Sequence, residues 1–452
     1  MKHIFRLLVL FFTTALFAQT GHLMQGVGAV NMSMGGASTA QPIDISGALQ
    51  WNPASISAFD SKIMKLDIGL FFSSPTLSSS LPAGMLGAGS PAVSGITEGD
   101  RGISPMPAFA IVWGKEDSKH TFGASAFGIS GFGVTFPEEA NNPFSGTFNP
   151  TINSNPINYP QGANGFGHIE SDYMLMQVGF TWAYEVSDKF SIGIEPTFNY
   201  AALELAPNPT ANSNAAGYPI SDKASATGFG AQIGLFYDSG NGFKAGTSYK
   251  TSQAFSDFGF KNTHLDASES VNDFNMDYPA ILSFGLGYSK KNFDLALDYR
   301  MVDYENTDGF AESGWTPTAS VAGFGWQNIN ILSAGVQYKG IDKLPLRIGY
   351  THSTNPIKDE LAFFSIPATA IIENAYQFGF SYEISDNFKL DAVYHHGTSD
   401  GATTGQLLSP LAITPSNPLG ALPGTSVSYE MTTDLIMFGA SYTFNKSKKE
   451  SN

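Results

Sequence analysis

The feature that most constrains this chain is a side-chain period of two held over segments a dozen residues or longer. Met174, Met176, Val178, Phe180, Trp182 and Tyr184 alternate with Tyr173, Gln177, Gly179, Thr181 and Glu185, so an extended segment carries one apolar face and one small or polar face. The same division returns where Phe190, Ile192, Ile194, Phe198 and Tyr200 oppose Ser191, Gly193, Glu195, Thr197 and Asn199, and where Tyr376, Phe378, Phe380, Tyr382 and Ile384 oppose Gln377, Gly379, Ser381 and Glu383. A soluble sandwich also alternates. The length of the segments and the aromatic residues gathered at their ends point instead to strands that cross a bilayer between two interfaces.

The connections sort into two kinds. Short ones recur as near copies, Tyr184 to Phe190 and Tyr382 to Phe388, with looser versions at Gly114–Ser118, Asp238–Gly242, Ser289–Asn292 and Lys339–Lys343. Long stretches rich in Pro, Asn and Ser lie near 73–103, 137–168, 207–224, 261–271, 305–324, 354–370 and 400–425. Turns on one side and loops on the other are the pattern of a bacterial outer-membrane barrel. The segments between them are 61–72, 104–113, 119–136, 169–186, 190–206, 225–238, 242–260, 272–289, 292–304, 326–339, 344–353, 371–385, 388–399 and 426–444, an even number of strands.

Composition narrows the class further. Residues 1–18 carry a basic start, an apolar run and a cleavage position after Ala18, which is a signal peptide for export. Elsewhere no apolar run approaches the ~20 residues of a membrane-spanning helix. Only 14% of residues are charged, against about 25% in soluble domains. The absence of cysteine excludes disulfides and thiolate chemistry, and a net charge of −16 excludes nucleic acid as a partner and disfavours a simple anion pore.

Gly26 to Ile56 has no period of two. It is rich in small residues yet too apolar for a solvated linker, with Val27, Val30, Met32, Met34, Leu49 and Trp51, and it contains Gly35, Gly36, Asp44 and the step Asn52-Pro53-Ala54. Such a segment suits threading through a confined space. These residues, followed by the strand pattern, resemble the hatch of the FadL-type outer-membrane transporters, and the strand number matches that family over essentially the whole mature chain. The resemblance implies an all-β fold: a transmembrane antiparallel 14-stranded β-barrel over 61–444 with an N-terminal plug (hatch) at 19–60 in its lumen. It implies passive transport of hydrophobic small molecules, long-chain fatty acids first and hydrocarbons second, with no cofactor and no catalysis, by a monomer. The partners are outer-membrane lipid and the assembly machinery, which would read the last strand at Ile436, Phe438, Ala440, Tyr442 and Phe444. A polar tail, 445–452, follows on the periplasmic side and is expected to be unstructured.

Candidate functional residues follow. Gly123, Gly128, Gly131 and Gly133 with Phe127 fall in one strand, where glycine favours bulges and kinks. Barrel curvature accounts for them as well as function does; the resemblance implies a kinked third strand that opens the wall sideways. Parity places Lys250, Asp298, Arg300 and Arg347 on the inward face, where they pair with one another or with Asp44, or where one cation receives a substrate carboxylate. Phe144, Phe148 and Phe166 make the loop after the third strand unusually apolar, which suits capture of a hydrophobic ligand and equally suits packing of the loop on the barrel rim. Gly397 to Gly401 fits G-x-S-x-G around Ser399, near His395 and His396, but no helical period follows to build the turn that exposes such a serine. Asp273, Asn275 and Asp277 have the first spacings of a calcium loop without its Gly or final Glu, and no metal-ligand spacing is present elsewhere. A polar-solute porin and a surface adhesin or receptor remain the rival readings.

Overall fold

The computed structural model describes residues 21–114 and 118–444, so the expected leader, the polar tail and part of one turn lie outside the described residues. Fourteen antiparallel strands form a closed barrel. They are β1 Lys62–Leu81, β2 Ile103–Trp113, β3 His120–Phe136, β4 Ile169–Ser187, β5 Phe190–Ala206, β6 Ala224–Asp238, β7 Phe243–Lys250, β8 Ala280–Lys290, β9 Phe293–Asp303, β10 Ile329–Tyr338, β11 Leu346–Ser353, β12 Ile372–Glu383, β13 Phe388–Ser399 and β14 Ser426–Phe444. Each pairs with its neighbour in sequence, and β14 closes on β1 from Lys62↔Phe444 to Ser80↔Ser426.

Three strand limits differ widely from the sequence expectation, for a common reason. Residues 73–81 continue β1 because they pair with β14 on one side and with a short strand, Val93–Glu98, on the other. Conversely β7 stops at Lys250 and β8 starts at Ala280. Ala254–Phe255 folds back onto β6, and Phe258–Thr263 pairs with Glu269–Phe274 in a separate small sheet completed by Ile220–Ser221. Alternation continues through these external pieces, so periodicity alone cannot mark where the wall ends.

Outward side chains such as Leu66, Phe180, Phe229, Ile348 and Phe438 are exposed all round the ring. A surface this apolar requires lipid. Near the short turns Trp113, Tyr184, Tyr237, Tyr288, Tyr338, Tyr382 and Tyr442 form the interfacial girdle.

Inside lies the N-terminal segment. Helix α1, Ala29–Ser33, and helix α2, Ile45–Trp51, precede a 3₁₀ turn at Pro53–Ala58. Asp44 caps α2 by accepting from Gly47 N at 3.1 Å, and Asn52 caps the 3₁₀ turn by accepting from Ala54 N at 3.0 Å with Pro53 at its first position. Gly35 and Gly36 turn the chain at φ 68° and 76°, and a Cβ on Gly36 would fall 1.8 Å from the Gln25 carbonyl oxygen. Wall glycines meet this segment backbone to backbone: a Cβ on Gly349 would lie 2.1 Å from Gly35 N. The small inward face of the strands is therefore the imprint of the chain packed against it.

Candidate functional site

The wall is incomplete between β2 and β3. The two strands pair only from Trp113↔Phe122 to Ala108↔Phe127, whereas β3 pairs with β4 along its whole length. The break coincides with a bulge between Gly128 and Ser130. Below it Thr121, Ser125 and Phe127 face inward; above it Ser130, Val134 and Phe136 do. One extra residue inverts the faces, so Phe132, which strict alternation would aim at lipid, turns into the lumen and stacks on Tyr173 with centroids 4.8 Å apart.

The resulting opening is bounded on every side. Asp100 N donates to Thr135 O at 2.8 Å across its upper end. Just inside, Arg101 reaches over Gly133, donates to Ser171 O at 2.6 Å and pairs with Asp172, which also holds Lys223. Within the gap the first described residues form an arm. Met24 N donates to Ile129 O at 3.0 Å, while His22 O accepts from Gly131 N at 3.2 Å and Ser130 Oγ at 3.0 Å. The arm thus takes part of the pairing that β2 leaves unmade. Around it lies a cavity of about 480 Å³, lined by His22, Met24, Pro105, Met106, Phe132 and Tyr173 among others.

Of the residues singled out in the third strand, Gly131 and Gly133 line this cavity and Gly128 sits at the bulge. Phe127 is the last residue paired to β2. Gly123 lies lower, where a Cβ would meet Leu49 Cδ2 of the inner segment at 2.6 Å, so its smallness serves packing.

Of the four inward charges, Asp298 and Arg300 anchor the inner segment, while Lys250 and Arg347 bond within the wall. Asp298 Oδ2 accepts from Ser38 N, Thr39 N and Thr39 Oγ1 at 2.7–2.9 Å and pairs with Arg300 at 2.6 Å. Arg300 donates to Gly36 O at 2.7 Å and lies 3.7 Å from the centre of the Trp51 ring. Lys250 donates to Gln177 Oε1, and Arg347 to Gln337 and Ser381. None of these four lines the cavity. Asp44 pairs instead with Lys65 at 2.7 Å, and Lys65 also contacts Asp391 at 3.1 Å and Asp67 at 3.7 Å. Lys65 and Asp67 are legible as inward by parity, but nothing in the sequence brings Asp391 to them. Asn52 fastens the segment further by donating to Thr39 O at 2.7 Å and Leu235 O at 3.0 Å.

The external phenylalanines separate. Phe144 is exposed and Phe148 packs edge-on against Tyr159. Phe166 stacks on Tyr218 and lines a small apolar pocket with Trp315, Phe363 and Phe364. Ser399 sits at the end of β13, where its Oγ accepts from Met431 N at 3.3 Å within the sheet, so no exposed nucleophile is built there.

A barrel with an apolar outer wall and a chain segment packed into its lumen has the form of a membrane channel. The description "Outer membrane protein transport protein (OMPP1/FadL/TodX)" matches residues 158–445, and the chain belongs to that family of outer-membrane transporters for hydrophobic compounds, which are channels and not enzymes. Its fold is similar to the Pseudomonas putida toluene transporter TodX, with a TM-score of 0.64 at 16% identity, covering 93% of this chain and 99% of that one. A Pseudomonas aeruginosa FadL homologue gives 0.69 at 13% identity over 94% and 100% of the two chains. The Ralstonia pickettii toluene transporter TbuX gives 0.60 at 16% over 93% and 99%. A search among curated proteins found no match.

Proposed function

We propose that this barrel admits uncharged hydrophobic compounds from outside and releases them sideways into the membrane through the opening between β2 and β3, by diffusion alone. The observation that carries this reading is the unpaired upper half of β2 against the bulged β3, with a cavity of about 480 Å³ directly behind it. An apolar solute gains by passing from such a cavity into lipid without crossing water. The external pocket at Phe166, Tyr218 and Trp315 is the landing surface. Two relatives of similar fold are toluene transporters, which supports a cargo of this kind.

A long-chain fatty acid, the cargo first expected, fits less well. Its carboxylate needs an uncommitted cation in the cavity. Lys250, Arg300 and Arg347 lie elsewhere, and the two cations that do line the cavity, Arg101 and Lys223, are committed to Asp172. Gly131→Trp, which puts an indole into the opening, tests the route. Uptake of labelled toluene by cells expressing the chain should fall to that of cells without it, while the barrel keeps its heat-modifiable mobility. Undiminished uptake would mean that cargo leaves by another path.

A further inference from the structure

On the side of the long loops, one row of outward side chains marks where the apolar belt of the wall ends. Tyr350, Tyr376, His396, Asp434 and Phe72 stand in register across β11, β12, β13, β14 and β1. One step below them the same strands carry Ile348, Phe378, Tyr394, Ile436 and Leu70, all exposed on the outer surface. One step above they carry His352, Asn374, Thr398, Thr432 and Ser74. The row therefore sits at the level of the outer-leaflet headgroups. It runs to Phe72, whose partner Ile103 on β2 lines the cavity behind the opening.

An interfacial tyrosine needs no protein partner, because headgroups and water satisfy its hydroxyl. The hydroxyls of Tyr200 and Tyr249, outward on β5 and β7, have none among the described residues. The sector from β9 to β14 differs. Its three successive strand pairs each fix a tyrosine: the Tyr299 hydroxyl donates to Asn330 Oδ1 at 2.7 Å, that of Tyr350 to Asn374 Oδ1 at 2.7 Å, and that of Tyr394 to Asp434 Oδ1 at 2.5 Å. Two of these strands repeat Tyr-x-His, and the histidines share the tyrosines' partners, with His352 Nδ1 3.1 Å from Asn374 Oδ1 and His396 Nδ1 2.9 Å from Asp434 Oδ1. Tyr350 and Tyr376 hold their ring centroids 5.4 Å apart. Rings and imidazoles are thus set in place before any lipid arrives, which lowers the entropy lost in binding one.

The polar atoms left over select the ligand. The Asp434 carboxylate can only accept, so His396 donates from Nδ1 and, as a neutral imidazole, offers Nε2 as an acceptor. Tyr394 gives its proton to the same carboxylate and offers lone pairs. Asn374 Nδ2, by contrast, is a buried donor without a partner among the described residues. A hydroxyl group serves both kinds, whereas a phosphate can only accept and would meet the charge of Asp434. The apolar face of a sugar ring also covers exposed tyrosine surface.

We infer that this sector of the outer wall binds the sugar headgroup of an outer-leaflet glycolipid. Sugar hydroxyls engage His396, Asp434 and the tyrosine oxygens, and the acyl chains lie on Ile348, Phe378, Ile436 and Leu70 below. The site faces the membrane and is independent of what the lumen carries.

The test is native mass spectrometry of the full-length protein in detergent, titrated with dipalmitoyl diglucosylglycerol and with dipalmitoyl phosphatidic acid. The two lipids share their chains and differ in headgroup. The wild type should bind the glycolipid about tenfold more tightly, the scale of one or two hydrogen bonds. His396→Ala with Tyr376→Leu should remove most of that preference and leave binding of phosphatidic acid unchanged. Tyr200→Leu with Tyr249→Leu, away from this sector, should leave the preference intact; retained heat-modifiable mobility certifies the fold of each variant. Equal binding of the two lipids, or tighter binding of phosphatidic acid, overturns the inference. So does a preference that the first pair of substitutions leaves standing or that the second pair lowers as much.

Discussion

The guanidinium of Arg101 lies so close over the backbone of Gly133 that a Cβ at that position would fall 1.7 Å from its Nη1. Glycine in the upper half of β3 is thus required by the side chain that crosses it. Gly133→Ala should push Arg101 away from Ser171 O and Asp172, at a cost on the order of 1–3 kcal/mol for charged hydrogen bonds lost. With its upper clasp gone the opening should widen, and toluene uptake should rise severalfold in a barrel that still resists heat. An unchanged rate would show that Arg101 does not limit passage.

Lys65 is the only cation within 4.0 Å of Asp44, Asp67 and Asp391 among the described ion pairs. Lys65→Met fills the same volume but leaves three carboxylates facing one another, which should destabilise the docked plug by on the order of 3–5 kcal/mol. Planar-bilayer recordings should then show conductance steps that the wild type lacks. A silent variant would mean that the remaining contacts, at Asp298 and Asn52, hold the plug unaided.

Burial lowers the His22 imidazole to about 3, from an ordinary value of about 6.5. Docked, it is neutral; released, it takes a proton below pH ~6.5. The docked arm therefore keeps its full stability above that pH and loses ~1.4 kcal/mol for each unit of acidification, down to about 3. Tyr173, Tyr278 and Tyr304 around it stay uncharged throughout this window. Exchange of the Met24 amide, corrected for its intrinsic pH dependence, should accelerate between pH 7 and pH 5 in wild type and stay level in His22→Phe. Equal protection at both pH values in wild type would refute the scheme.

Asn52 caps the 3₁₀ turn and donates both to Thr39 O and to Leu235 O on the wall. Asn52→Asp keeps the cap yet places a negative charge against two carbonyl oxygens. Asn52→Ala loses all three bonds, and we expect about 2 kcal/mol of plug stability lost for it and more for the aspartate. Proteolysis of residues 26–58 in the purified barrel would rank the variants, and an aspartate more resistant than the alanine would contradict this ranking.

The wall is legible in the sequence because its physics is local. A slip of one residue in register cannot pass where one face must be greasy and the other small, as from Met174 to Tyr184, so strand number and inward charges follow from parity. Phe132 escapes the same reasoning, because the bulge at Gly128–Ser130 reverses parity within a strand and glycine marks only that a reversal is permitted. The aromatic box around His22 leaves no trace in the sequence: Tyr173, Tyr278, Tyr304, Phe310 and Trp326 share neither a period nor a motif, and meet only through closure of the ring. Gly123 joins the lateral opening by sequence alone and the plug contact in the structure, because Leu49, which it accommodates, belongs to a distant part of the chain.

Asp67 on β1, Gly439 on β14 and Asp391 on β13 stand in one row across three strands, paired Asp67↔Gly439 and Asp391↔Gly439. A Cβ on Gly439 would lie 2.0 Å from Asp67 Oδ1. The two aspartates that flank Lys65 thus come from opposite sides of the seam, and only the missing side chain between them lets both reach it. Before β14 zips onto β1, Asp391 is at the far end of an open sheet, and Lys65 can neutralise Asp44 but not complete the cluster. The contact of β14 with β1 that completes the wall is thus also the one that completes the charge cluster holding the inner segment.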